Sequence, residues 1–200
     1  MNGPKIQLSE EEWQLLQNSG WILTKHAVID KVYHLFGWLA HEAQLRLRGP
    51  HHLPEAVLHQ SPKISKGEQY QRLPWVVLDY PRYFSKEHVF AIRHFFWWGH
   101  YFSSTLQLKG RFQQHLAPHI GQEAAAGKLE GYYWAAGGEE YNFDVKADGY
   151  RLVSERPPAP GELESGPFIK LTVTHALGHW NMMPEKLLDA FERFIAIADR

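Results

Sequence analysis

The chain contains no cysteine. Disulfides, thiolate catalysis, thiolate zinc sites and iron–sulfur clusters are therefore excluded. Nor is there an excess of charge of one sign: 21 basic and 22 acidic residues leave a formal net charge of −1. Composition offers no electrostatic attraction for nucleic acid or for an anionic membrane, and neither is expected as a partner. No apolar run approaches the roughly 18 residues that a membrane span requires. The opening MNGPKIQLSEEEW lacks the basic start and apolar stretch of a signal peptide, so a soluble, cytoplasmic protein is expected. There is no internal repeat and no low-complexity tract. Also missing are a Gly-x-Gly-x-x-Gly after a strand, a Walker loop, His-Glu-x-x-His, Gly-x-Ser-x-Gly and an EF-hand loop. The commonest nucleotide, protease and esterase readings lose their support, and the cofactor is unknown.

What is present is ordinary in bulk and unusual in detail. At 200 residues, 44% apolar and 22% charged, the chain can bury a core as one domain. Aromatic residues make up 14%, with eight tryptophans, and there are 13 histidines. Those histidines should turn the chain cationic as the pH falls through about 6.5. Residues 73–110 hold eleven of the 28 aromatics, interleaved with Asp79, Arg82, Arg93, His94 and His100.

Periodicity divides the chain into elements. Ser9 followed by three glutamates predicts a capped helix over 9–17. Ile22, Ile29, Val32, Phe36, Leu39 and Ala43 recur at helical spacing and predict a second helix over 22–46, which Gly49-Pro50 ends. Residues 51–70 read as loop with a turn of helix at 54–59. A strand is expected over 73–80, closing at Pro81, a helix over 85–98 capped by Ser85, a strand over 101–109 and a helix over 111–126. Gly137-Gly138 and Asp148-Gly149 read as the tight turns of two strand pairs. A strand over 168–175 and an amphipathic helix over 184–199 complete the chain. The expected fold is a single α+β domain covering 1–200, helical over 1–49 and sheet with helices over 71–200. Its mainly antiparallel sheet should hold about five or six strands, packed against N-terminal, middle and C-terminal helices.

Three constellations could carry chemistry. Strand alternation puts Trp75, Val77 and Asp79 on one face. An acid behind two large apolar residues needs a partner. Arg82 or Arg93 would supply it as a structural ion pair, or Asp79 would serve as general base while an arginine holds an anionic group. On the expected helix 85–98, Phe90, Arg93, His94 and Trp97 share a face that something must cover, most simply other protein. His175 and His179 have the His-x-x-x-His spacing of a metal site, with His100, Asp79, Glu139 or Glu140 as a third ligand. With so many histidines that spacing also arises by chance, and no metal is assigned. Ser103 and Ser104 have no nucleophile-elbow context.

Three functions from different classes follow. The favoured one is a small-molecule-binding protein with an aromatic-lined pocket near residues 75–101, using Trp75, Asp79, Arg82, Arg93, His94, Trp97, His100 and Tyr101. The alternative is an enzyme, either acid–base through Asp79, His94 and His100 or metal-assisted through His100, His175 and His179. The third is an interaction protein or homodimer with an aromatic surface.

Overall fold

The centre of the molecule is a run of hairpins whose strands have apolar side chains on both faces. The computed structural model describes residues 6–199. Its strands are β1 (Lys63–Tyr70), β2 (Leu73–Phe84), β3 (Val89–Trp97), β4 (Tyr101–Lys109), β5 (Tyr133–Ala135), β6 (Arg151–Leu152) and β7 (Ile169–Ala176). They form one sheet in the order β1-β2-β3-β4-β7-β5-β6, antiparallel throughout. The helices are α1 (Glu10–Gln17), α2 (Ser19–Arg46), α3 (Glu55–Leu58), α4 (Arg111–Ala125), α5 (Glu162–Ser165) and α6 (Met183–Ala198), with a 3₁₀ turn, Leu177–Met182, before the last. This is the expected α+β class, with seven strands rather than five or six.

Helices α2, α3, α4 and α6 pack on one face of the sheet. There Val76, Leu78, Phe96, Phe102, Leu106 and Leu171 meet Phe36 and Leu39 of α2 and Phe191 and Phe194 of α6. Each large apolar side chain so buried contributes about 1.5–3 kcal/mol. The opposite face carries Val77, Phe95, Trp97 and Tyr101. It is covered by the segment between β5 and β6, residues 136–150, through Phe143, Val145 and Tyr150.

That double cover explains the largest departure from the sequence reading. Residues 85–98 are not a helix. All nine residues of β3 are buried, so the strand shows a continuous apolar run in which its period of two is invisible. Ser85 does cap, but it caps a β-turn: its Oγ accepts from His88 N at 2.9 Å and donates to His88 O at 3.0 Å.

Three further expectations are corrected. Residues 63–70, read as loop, form the edge strand β1, whose charged, half-exposed sequence lacks apolar alternation because an edge is best left polar. β2 does not close at Pro81; its register slips between Asp79 and Arg82 and the strand runs on to Phe84, with the proline at the irregularity where no ladder N–H is required. Gly137-Gly138 and Asp148-Gly149 do not turn two hairpins. Gly138 and Gly149 have positive φ, 83° and 105°, but they bend a single long segment back on itself. β5 and β6, joined by that segment, pair directly as Tyr133↔Leu152 and Trp134↔Arg151.

Candidate functional site

The site grows from one row of the sheet. Cross-strand pairing aligns Asp79 of β2 with Arg93 of β3, Thr105 of β4 and Thr172 of β7. Arg93 grips Asp79 with two parallel hydrogen bonds, Nε to Oδ1 at 2.6 Å and Nη2 to Oδ2 at 2.9 Å. Both groups are buried, at 6% and 9% exposed, and the fork leaves Nη1 as the guanidinium nitrogen not engaged by Asp79. Thr105 and Thr172 satisfy one another at 2.9 Å.

Beside this row lies a cavity of about 420 Å³. Trp75 and Phe95 form its floor, Tyr70 one side, and Tyr141 and Phe143 its loop-side wall, with Arg93 and Gln69 as the polar groups. Gly67 of β1 stands opposite Trp75 in the ladder. A Cβ there would lie 2.7 Å from the indole ring, so glycine is what lets the tryptophan lie flat against the neighbouring strand.

The loop over the cavity is fastened by side chains that rise from the sheet. Tyr70 Oη donates to Asn142 Oδ1 at 3.1 Å and accepts from Phe143 N at 2.7 Å. Tyr101 Oη donates to Phe143 O and accepts from Val145 N, both at 3.1 Å. Glu140 receives Gln107 Nε2 at 3.1 Å and Lys109 Nζ at 3.0 Å. Burial raises the pKa values of the Tyr70 and Tyr101 hydroxyls above the usual tyrosine value, so both stay protonated and can donate as well as accept.

Lys170 of β7 stands one row further along the same face, opposite Gln107. It is 1% exposed, and Nζ donates to Asn142 O at 2.6 Å. Three rings surround the amine, with centroids 4.8 Å (Phe143), 5.6 Å (Phe168) and 5.8 Å (Tyr150) away. No carboxylate lies within ion-pair distance of it among the described residues. Desolvation, aided by repulsion from Arg93 and opposed by Glu140 and Glu139, lowers its pKa to about 7.

The residues expected to form the site are distributed as follows. Trp75 and Arg93 line the cavity. Asp79 holds Arg93 and is thereby spent as an ion-pair partner, not free as a general base. Trp97 backs the Tyr70 wall at 5.1 Å, and Tyr101 fastens the loop. Arg82 donates through Nε to Ser61 O at 3.1 Å, away from the cavity. His100 sits in the β3–β4 turn, stacked on Trp97 at 3.5 Å.

His94 is on the opposite, helix-covered face, because neighbours on a strand point oppositely. Arg93 and His94 therefore do not share a face as the helical reading required, and Asp79, His94 and His100 do not converge. His94 Nδ1 and Ser104 Oγ share a hydrogen bond at 2.8 Å, a serine–histidine contact that no sequence motif announces. It is sealed beneath α6: both residues are at most 1% exposed, and His94 Nε2 has no hydrogen-bond partner. Burial, with repulsion from His175, lowers the His94 pKa to about 3, keeping the ring neutral. Without access or an orienting carboxylate the pair lacks what nucleophilic catalysis needs. His100, His175 and His179 likewise make no cluster: among the described residues no three His, Asp or Glu side chains are placed to hold a metal ion.

Tyr70, Tyr141, Phe143 and Lys170 were not singled out from the sequence. The rings reach the cavity across more than 70 residues of chain, as the Tyr70–Phe143 contact does, and no local pattern announces that. Lys170 lies on the strand face opposite Ile169, Leu171 and Val173, and nothing in its local sequence marks that face as buried.

A hollow of equal volume, about 420 Å³, lies at the other face against Phe96, Trp98 and Trp180. Apart from Lys31 its lining offers a ligand little to bond to. Comparison with known proteins gives no match: no family model fits the sequence, and no curated protein or solved structure matches it. The functional reading rests on the geometry.

Proposed function

We propose that this protein binds a small, flat, largely apolar molecule in the cavity between the sheet and the loop 136–150. The observation that supports it most is the wall composition: five aromatic rings and an arginine whose orientation is fixed by Asp79. Apolar walls with a few converging polar groups are the usual make-up of ligand sites, and the volume suits a ligand of one or two fused rings. Arg93 Nη1 is the donor for a polar substituent. The test is a naphthylmethanol titration followed by tryptophan fluorescence and melting temperature. Saturable quenching with a raised Tm is expected, weakened at least tenfold in Trp75→Ala. No saturation and no Tm shift would refute it.

A second reading concerns a partner surface. It rests on the N-terminal arm and not on the aromatic stretch 73–110, most of whose rings are buried within the chain. α1 buries no residue. Ile6, Leu8, Trp13, Leu15, Leu16, Trp21, Ile22 and Leu23 are 42–82% exposed. Together they offer on the order of the 800 Å² per partner that a stable interface takes. The occupant proposed is a second copy. Light scattering should give a dimer that Trp13→Glu/Leu16→Glu turns into a monomer; a monomeric wild type would refute it.

A further inference from the structure

The ligand reading leaves one group on that face unaccounted for. Lys170 is a lysine buried where a strand ordinarily places an apolar or small polar residue. As a loop anchor it is redundant, because Tyr150 Oη already donates to the same Asn142 carbonyl at 3.1 Å. A buried amine without a carboxylate partner costs stability. Lys170 does not itself line the cavity, but it touches Phe143, which does. The centroid of that ring is 4.8 Å from Lys170 Nζ and 4.9 Å from Arg93 Cζ. A swing of the one side chain would put amine, guanidinium and bound molecule in a single space.

We propose that Lys170 captures carbonyl compounds: an aldehyde or ketone carried on a flat apolar body enters the cavity and forms an imine with Nζ. This rests on the ligand reading and names its chemical class. The neutral amine attacks the carbonyl carbon and forms a C–N bond, while Arg93 Nη1 donates to the carbonyl oxygen. The carbinolamine then loses that oxygen with the two amine hydrogens as water, leaving the C=N bond. No oxidant or further reactant is required. The dry aromatic surround supplies what such lysines need, an amine that is uncharged near neutrality because it is desolvated and lies near another cation; its lowered pKa agrees.

The experiment treats the full chain at pH 7 with naphthaldehyde and cyanoborohydride, maps modified lysines by peptide mass spectrometry, and measures binding of naphthylmethanol in parallel. The expected result is binding of the alcohol together with labelling of Lys170 at least tenfold above any other lysine, and faster labelling in Phe143→Ala. Lys170→Met should abolish the dominant adduct while keeping alcohol binding. If the alcohol binds but labelling merely follows lysine exposure, leaving Lys170 unmodified, carbonyl capture is overturned and the ligand reading stands. If the alcohol does not bind and Lys170 is unmodified, both fall.

Discussion

Asp79 and Arg93 show how one contact decides between two chemistries. A carboxylate gripped by a bidentate guanidinium in a buried row is committed to position, and the free edge of the arginine is what remains for a ligand. Removing one partner strands a buried charge, so Asp79→Ala should cost about 3–5 kcal/mol in urea unfolding. The double variant Asp79→Leu/Arg93→Met should lose much less. An additive double variant would mean that the pair is not coupled. Lys170 makes the complementary case. Its pKa is lowered in the folded state to about 7, so between there and the usual lysine range the unfolded chain binds the extra proton and stability rises with pH. Below about 7 both states are protonated and the penalty is constant. Lys170→Met should therefore stabilise the protein by about 1–3 kcal/mol at pH 6, with the gain shrinking toward pH 10. A gain independent of pH would show that the amine is not charged at a cost in the fold.

At the level of elements, the loop 136–150 is the part that makes a sheet face into a cavity. Two tyrosines hold it, each by a donated and an accepted hydrogen bond. Tyr70→Phe removes both bonds of one anchor, and hydrogen exchange at Phe143 N should quicken by about tenfold, in keeping with roughly 1–2 kcal/mol of lost hydrogen bonding. Unchanged exchange would mean that the rings alone hold the loop. The same loop marks where sequence reading reached its limit. Several elements were legible: α1 from its capping box, α2 and α6 from their apolar stripes, β4 and β7, and the face assignment of Trp75, Val77 and Asp79. β4 is buried on both faces like β3, but Ser103, Thr105 and Gln107 keep its loop-side face polar and its alternation visible, whereas β3 carries apolar residues on both faces and loses it. The loop was misread because its glycine dipeptides do supply positive φ, while what shapes the chain between them is anchorage to Tyr70 and Tyr101, distant in sequence. Of the site itself, Trp75, Arg93 and the Asp79 ion pair were legible and the loop-side wall was not.

For the whole molecule, the two faces of one sheet divide the labour. The helix-covered face holds the main core and two histidines kept neutral by burial, with pKa values lowered to about 3 for His94 and about 4 for His175. From about pH 6.5 downward the unfolded chain takes up protons at these positions before the folded one does. Stability should therefore fall by about 2–2.5 kcal/mol per pH unit between pH 6 and 4. His94→Gln should flatten that slope, and an unchanged slope would place the acid sensitivity elsewhere. The loop-covered face holds the cavity, and the claim that matters most is that a ligand sits there. A crystal structure of the protein soaked with naphthylmethanol tests it most directly. The fused rings are predicted between Trp75 and Phe143, with the hydroxyl on Arg93 Nη1. A ligand seated instead against Trp98 and Trp180, or none on either face, would contradict the account.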